Sequence, residues 1–250
     1  MKTIKIDINW INDVIPEGLP IKSTTVITGP GGSGKPLIGE TFVSAWLKNG
    51  GSVIFMSLQY PGSEFITESI KSITGLDIQD YKKKIIFLHL DTEISDYKEV
   101  NENLILANLV KPEVWEKVLN IASEKLPHED PGILIFCSAL NLLLFSPTYG
   151  DAIFEKIKET IITNTDKTYL FSVSTSAKAN EIAQLEKIAD NLILSRSEKE
   201  PFRLYMKIVR FKGGFNPAEI QVPISPEILT NIKKMADYNR GKVLPAILKT

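Results

Sequence analysis

The chain has one cysteine, Cys137, and two histidines, His89 and His128, in 250 residues. A lone thiol excludes a disulfide framework and any cysteine-based zinc site, and it fits a reducing, cytoplasmic setting. Charge of either sign is also missing in excess: 29 Lys and Arg stand against 30 Asp and Glu, a formal net charge of −1. That balance gives nucleic acid no support as a partner. Long apolar runs are lacking as well. Stretches such as ILIFCSALNLLLF (133–145) are too short to cross a bilayer and contain polar residues. The opening MKTIKIDINW has neither the apolar segment nor the small-residue cleavage site of an export signal, so neither export nor membrane insertion is expected.

What is present suits a globular core: 43% hydrophobic and 24% charged residues, read as one domain over 1–250. Short β-branched or aromatic runs alternate with helix-length amphipathic stretches. The pattern predicts strands at 24–28, 53–58, 85–90, 133–137, 169–174, 191–195 and 203–211. It predicts helices at 35–49, 62–74, 112–126, 151–164, 181–189 and 226–239. This alternation specifies an α/β fold with a mostly parallel central sheet flanked by helices. Several strands are apolar throughout, as strands covered on both faces should be. Residues 91–111 are polar without a clear period and read as a surface excursion or short lid. RLYMKIVRF (203–211) and EIQVPI (219–224) flank the turn residues KGGFNPA, which predicts a C-terminal antiparallel hairpin.

The stretch TGPGGSGKPL (28–37) matches the phosphate-cradling pattern G-x-x-x-x-G-K-[ST] at every fixed position but the last. Gly29, Gly34 and Lys35 occupy the fixed positions, and Gly31, Gly32 and Ser33 fill the loop. A predicted strand precedes it and a predicted helix follows. Successive glycines let main-chain N–H groups converge on phosphate oxygens at the start of a helix, where the partial charge is positive. Pro36 stands where the pattern has a hydroxyl residue. It removes a magnesium ligand and a backbone N–H together, yet a first helical turn tolerates proline.

The lead-in INDVIPEGLPIKSTTVITGPGGSGK resembles the start of KaiC-like ATPase domains of the RecA superfamily. Further along, ILIFCSALNLLL resembles the Walker B strand of that family, IADNLILS its Ala-Asp-x-hydrophobic-Ile-x-Leu strand, and IVRFKGG its Lys-x-Arg-Gly segment. The resemblance implies a RecA-like P-loop fold, nucleotide binding and assembly into rings.

Three departures fall on positions that carry catalysis in that family. Cys137, followed by the matching Ser138, stands at the metal-supporting Asp. A neutral thiol does not replace a hard oxygen anion for Mg²⁺. Gln59 and Tyr60 stand at the pair of Glu residues that activates water, and Gln is a poor general base. The resemblance also implies that Arg210 and Lys212 match, in swapped order, a basic pair that reaches the nucleotide bound by a neighbouring subunit; a solvated basic edge accounts for them equally well.

The expectation is therefore a non-hydrolysing subunit of regulatory or scaffolding type that holds ATP or another phosphate ligand weakly and without Mg²⁺. Its partner would be a protein or further copies of itself. The alternative is an active ATPase whose missing groups come from a neighbouring subunit or from Asp91 or Glu93. The hydroxyls of STSAKANEIAQLEK (174–187) sit at a strand end where α/β sheets bind ligands. Cys137 with His89 or His128 as a nucleophilic pair is disfavoured, because a thiol in an apolar strand is ordinarily inert core.

Overall fold

The computed structural model describes residues 2–6, 8–60, 62–164 and 166–250. The chain opens with a two-stranded antiparallel pair, β1 (Thr3–Ile4) and β2 (Leu19–Pro20), around the short helix α1 (Asn9–Asn12). There follow β3 (Thr24–Gly29), α2 (Lys35–Lys48), β4 (Ser52–Ser57), α3 (Ser63–Thr74) and β5 (Ile85–Leu90). Next come β6 (Tyr97–Asn101), β7 (Leu104–Ala107), α4 (Pro112–Lys125), β8 (Ile133–Ser138) and α5 (Gly150–Thr163). The rest is β9 (Thr168–Ser174), α6 (Ala179–Ile188), β10 (Asn191–Lys199), β11 (Phe202–Arg210), β12 (Ile220–Val222) and α7 (Pro226–Ile247).

Among the described residues ten strands form the main sheet, in the order β12-β11-β10-β3-β9-β8-β4-β5-β7-β6. The strands from β10 to β7 pair in parallel, and antiparallel strands close both edges. Successive side chains on a strand point to opposite faces, so each central strand feeds two cores. On β3, Ile27 joins α2 and α3, while Val26 joins the layer of α4, α5 and α6. Helix α2 is buried on nearly all sides, from Leu37 to Leu47, which explains why its sequence is apolar around the whole circumference.

The α/β class, the parallel core and the antiparallel β11–β12 pair, with Leu204 opposite Val222, agree with the sequence reading. Residues 91–111 do not. They contain β6 and β7, an antiparallel pair that extends the sheet beyond β5. The polar composition that suggested a loop belongs to an edge strand, since β6 is mostly exposed while β7 alternates between half-buried and buried residues. The final helix also runs past residue 239 to Ile247, because Val243, Leu244 and Ile247 find a second core to pack against.

One close approach sets how tightly α2 lies on the sheet. A Cβ at Gly39 would fall 2.3 Å from Cε2 of Phe136, which is itself wedged edge-on against Phe55 at 4.8 Å. Gly39→Ala is expected to destabilise the protein by about 2 kcal/mol net of the helix propensity gained. Urea unfolding would measure this, and adding Phe136→Leu should recover part of the loss. A variant as stable as the parent would show that α2 sits further from the sheet.

Candidate phosphate-binding site

The glycine loop leaves the carboxyl end of β3 at Gly29 and enters α2 at Lys35. Gly34 caps the helix in the left-handed conformation, φ +66°, and a Cβ there would lie 2.2 Å from Leu204 Cδ1. Both the backbone and the space therefore require glycine. Pro36 fits into the first turn of α2, as its ring geometry allows.

Neighbouring strand ends brace the loop. Gly31 N donates to Ser176 Oγ at 2.8 Å, Ser174 N donates to Asn141 Oδ1 at 3.0 Å, and the Ser33 and Ser195 hydroxyls lie 2.7 Å apart. Ser33 N donates to Pro30 O within the loop. The amides of Gly32, Gly34 and Lys35 have no acceptor among the described residues. A cup of N–H groups at a helix start without acceptors is suited to an anion. Lys35 is buried and folded back into the loop, where Nζ donates to Gly29 O at 3.0 Å, Pro30 O at 2.6 Å and Ser33 Oγ at 3.1 Å. Burial, with a smaller contribution from the repulsion of Arg240, lowers its pKa to about 7.

A cavity of about 100 Å³ opens over the loop. Gly31, Gly32, Lys35, Pro36, Gln59 and Tyr60 line one side of it. The other side is α7, through Leu229, Lys233, Ala236, Asp237 and Arg240. Positions 229, 233, 236 and 240 recur at helical spacing and form one stripe. Two cations within an otherwise apolar stripe were the signal available in the sequence, and only the docking of α7 reveals what they face. Asp237 is the one carboxylate lining the cavity among the described residues, and it is paired with Arg240 at 3.3 Å.

The other sequence-derived positions scatter. Gln59 and Tyr60 reach the cavity, with Tyr60 packed on Phe65 at 5.0 Å. Cys137 does not: it is fully buried among Val26, Ile54 and Met56 in the layer opposite α2, and burial pushes its thiol pKa well up. Ser138 is turned toward the Met56 carbonyl. Arg210 and Lys212 lie at the far end of the sheet. There the Arg210 guanidinium caps the end of α6 by donating to Glu186 O and Ala189 O, and Lys212 pairs with Asp190 at 2.7 Å. Within one chain they do not meet the loop. Neither Asp91 nor Glu93 lines this cavity; Asp91 Oδ1 accepts from Glu93 N in a local turn. His89 is buried and held neutral, its pKa lowered to about 4 by desolvation. His128 is exposed, with Nε2 3.0 Å from the Ser123 carbonyl oxygen.

The donor set is poor for a divalent cation. Proline brings no hydroxyl, the thiol faces the wrong layer, and no group of three or more His, Cys, Asp or Glu among the described residues could hold a metal. The phosphate cup fits its ligand better than the rest of the cavity does, because a whole nucleotide needs a pocket of roughly 300 Å³ or more.

A glycine loop between a central strand and its helix, at the carboxyl ends of a parallel sheet, defines a P-loop protein, and two strands intervening between β3 and β4 give the RecA-like arrangement. The sequence model of the KaiC ATPase family matches residues 4–224, and the chain belongs to that family. Among solved structures, a KaiC-like protein from the hyperthermophilic archaeon Pyrococcus horikoshii OT3 shares the fold with a TM-score of 0.64 at 17% identity. The alignment covers 90% of this chain and 96% of the other. Comparison with curated proteins gives no match. No helix among the described residues is long and apolar enough to cross a membrane.

Proposed function

We propose that this chain is a KaiC-family subunit that holds a phosphate-bearing ligand, ATP or another, without hydrolysing it efficiently, and that it acts by regulation or scaffolding. The observation that carries this reading is the split within the motif. Lys35 and the acceptor-less loop amides stay together, whereas Pro36 offers no metal ligand and Cys137 is buried in the other layer. Metal ligation and water activation are linked parts of one in-line displacement, so separating them from the cradle removes turnover before it removes binding. Gln59 at the cavity wall can orient a water but accepts a proton poorly.

The competing reading, an active ATPase, draws support from Asp237 in the cavity wall, although that carboxylate is engaged by Arg240. Purified protein mixed with ATP is expected to show a ligand-dependent rise in melting temperature and no phosphate release above background. Brisk Mg²⁺-dependent release that disappears in Lys35→Ala would overturn the proposal. Assembly with further copies, through which Arg210 and Lys212 would reach a neighbour's loop, belongs to the same proposal and is tested by light scattering.

A further inference from the structure

Helix α7 begins at Pro226, beyond the last residue matched by the KaiC family model, and it crosses the mouth of the glycine loop. Its Ser225 N-cap accepts from Ile228 N, and Leu229 and Ile232 anchor it in the core shared with α2. This anchoring aims two cations at the cup. Lys233 Nζ lies 3.8 Å from the point a Cβ on Gly32 would occupy, and it rests over the Phe202 ring at 5.2 Å. Arg240 Nη1 lies 4.0 Å from the corresponding point on Gly31. Lys35 completes a ring of three basic side chains around the cavity, offset by Asp237, the one carboxylate among the described residues that line it.

A polyphosphate carries several negative charges, which in a complete phosphate loop are shared between the lysine and a divalent ion. Here the groups for that ion are missing among the described residues, while two side-chain cations stand beside the loop. We propose that Lys233 and Arg240 of α7 are phosphate ligands that replace the metal, making the loop a metal-independent site for polyphosphate. This rests on the reading that the loop holds a phosphate ligand. The volume of about 100 Å³ suits a phosphate tail, with base and ribose left outside the cavity, so the tail carries the affinity. Arg240 suits this role because a guanidinium matches phosphate oxygens with two parallel donors, and Lys233 adds a point charge.

The test is calorimetric titration of the full chain with tripolyphosphate and with ATP, each in EDTA and in excess Mg²⁺. Both ligands should bind in EDTA with affinities within about threefold of each other, and Mg²⁺ should weaken binding by neutralising the anion. Lys233→Ala/Arg240→Ala should cost at least about tenfold, because two charge-assisted contacts are lost, whereas Lys233→Arg alone, which keeps the point charge, should retain most of the affinity. Binding that requires Mg²⁺ would overturn the inference, as would binding of ATP without tripolyphosphate. If Lys35→Ala abolishes binding and the double alanine variant stays within twofold of the parent, the phosphate-holding loop stands and the role of α7 falls. Failure of the parent to bind either ligand overturns both.

Discussion

Glu40→Gln is expected to be more stable than the parent at pH 8 by several kcal/mol and nearly equal to it at pH 4.5. Glu40 lies on α2, fully buried, with Oε2 accepting from Ser69 Oγ at 2.5 Å and Oε1 without a partner among the described residues. Desolvation raises its pKa from 4.5 to about 8, against a smaller lowering by the Ser69 hydroxyl. Below pH 4.5 the carboxyl is protonated in both folded and unfolded chains. Between 4.5 and 8 the unfolded chain releases the proton and the folded chain keeps it, so the folded state binds more protons and stability falls as pH rises. Over that window the loss is on the order of 4 kcal/mol, at about 1.4 kcal/mol per pH unit. Glutamine keeps the shape, carries no charge, and removes this dependence. Urea unfolding of both proteins at pH 4.5, 6 and 8 gives the difference directly, with other titrating groups cancelling. A difference that does not change with pH would mean that the buried carboxyl is ionised in the folded protein.

The second large effect concerns Lys35. Affinity for tripolyphosphate or ATP is expected to fall about tenfold per pH unit between pH 7.5 and 9. In the unliganded protein burial and Arg240 hold the Lys35 pKa at about 7, so above that pH the amine is mostly neutral and donates to Gly29 O and Pro30 O. A phosphate within reach favours the ammonium, so binding takes up a proton and is opposed by rising pH. Calorimetry at pH 8 in two buffers of different ionisation heat should register an uptake approaching one proton. Lys35→Arg keeps its charge throughout this range and should flatten the profile. A flat profile in the parent, or an unchanged slope in Lys35→Arg, would show that this lysine is not the proton acceptor.

Both effects arise from the burial of α2. Its apolar circumference places a carboxyl and an amine in surroundings that favour their neutral forms. Perturbed groups of this kind gather at functional sites; Lys35 lines the cavity, and Glu40 lies further along the same helix against Ser69 of α3. Glu40 carried no signal in the sequence, where a Glu in a helix reads as solvated.

The strand-loop-helix around Lys35 and the parallel core were legible from the amino-acid order alone. Both depend on local chemistry: glycines that permit a left-handed turn at Gly34, a proline tolerated in a first helical turn, and apolar runs at strand length. The antiparallel β11–β12 pair was legible for the same reason. Tertiary structure alone decided the direction each strand end faces and the helix that closes over the loop. It turned Cys137 into the layer away from α2, carried Arg210 to the cap of α6, and folded residues 97–107 onto the sheet edge. It also laid Lys233 and Arg240 of α7 across a glycine loop that lies far earlier in the chain, at residues 29–35. Periodicity identifies which side of an element is apolar, but the partner for that side is chosen by packing between segments remote in sequence, which no local pattern encodes.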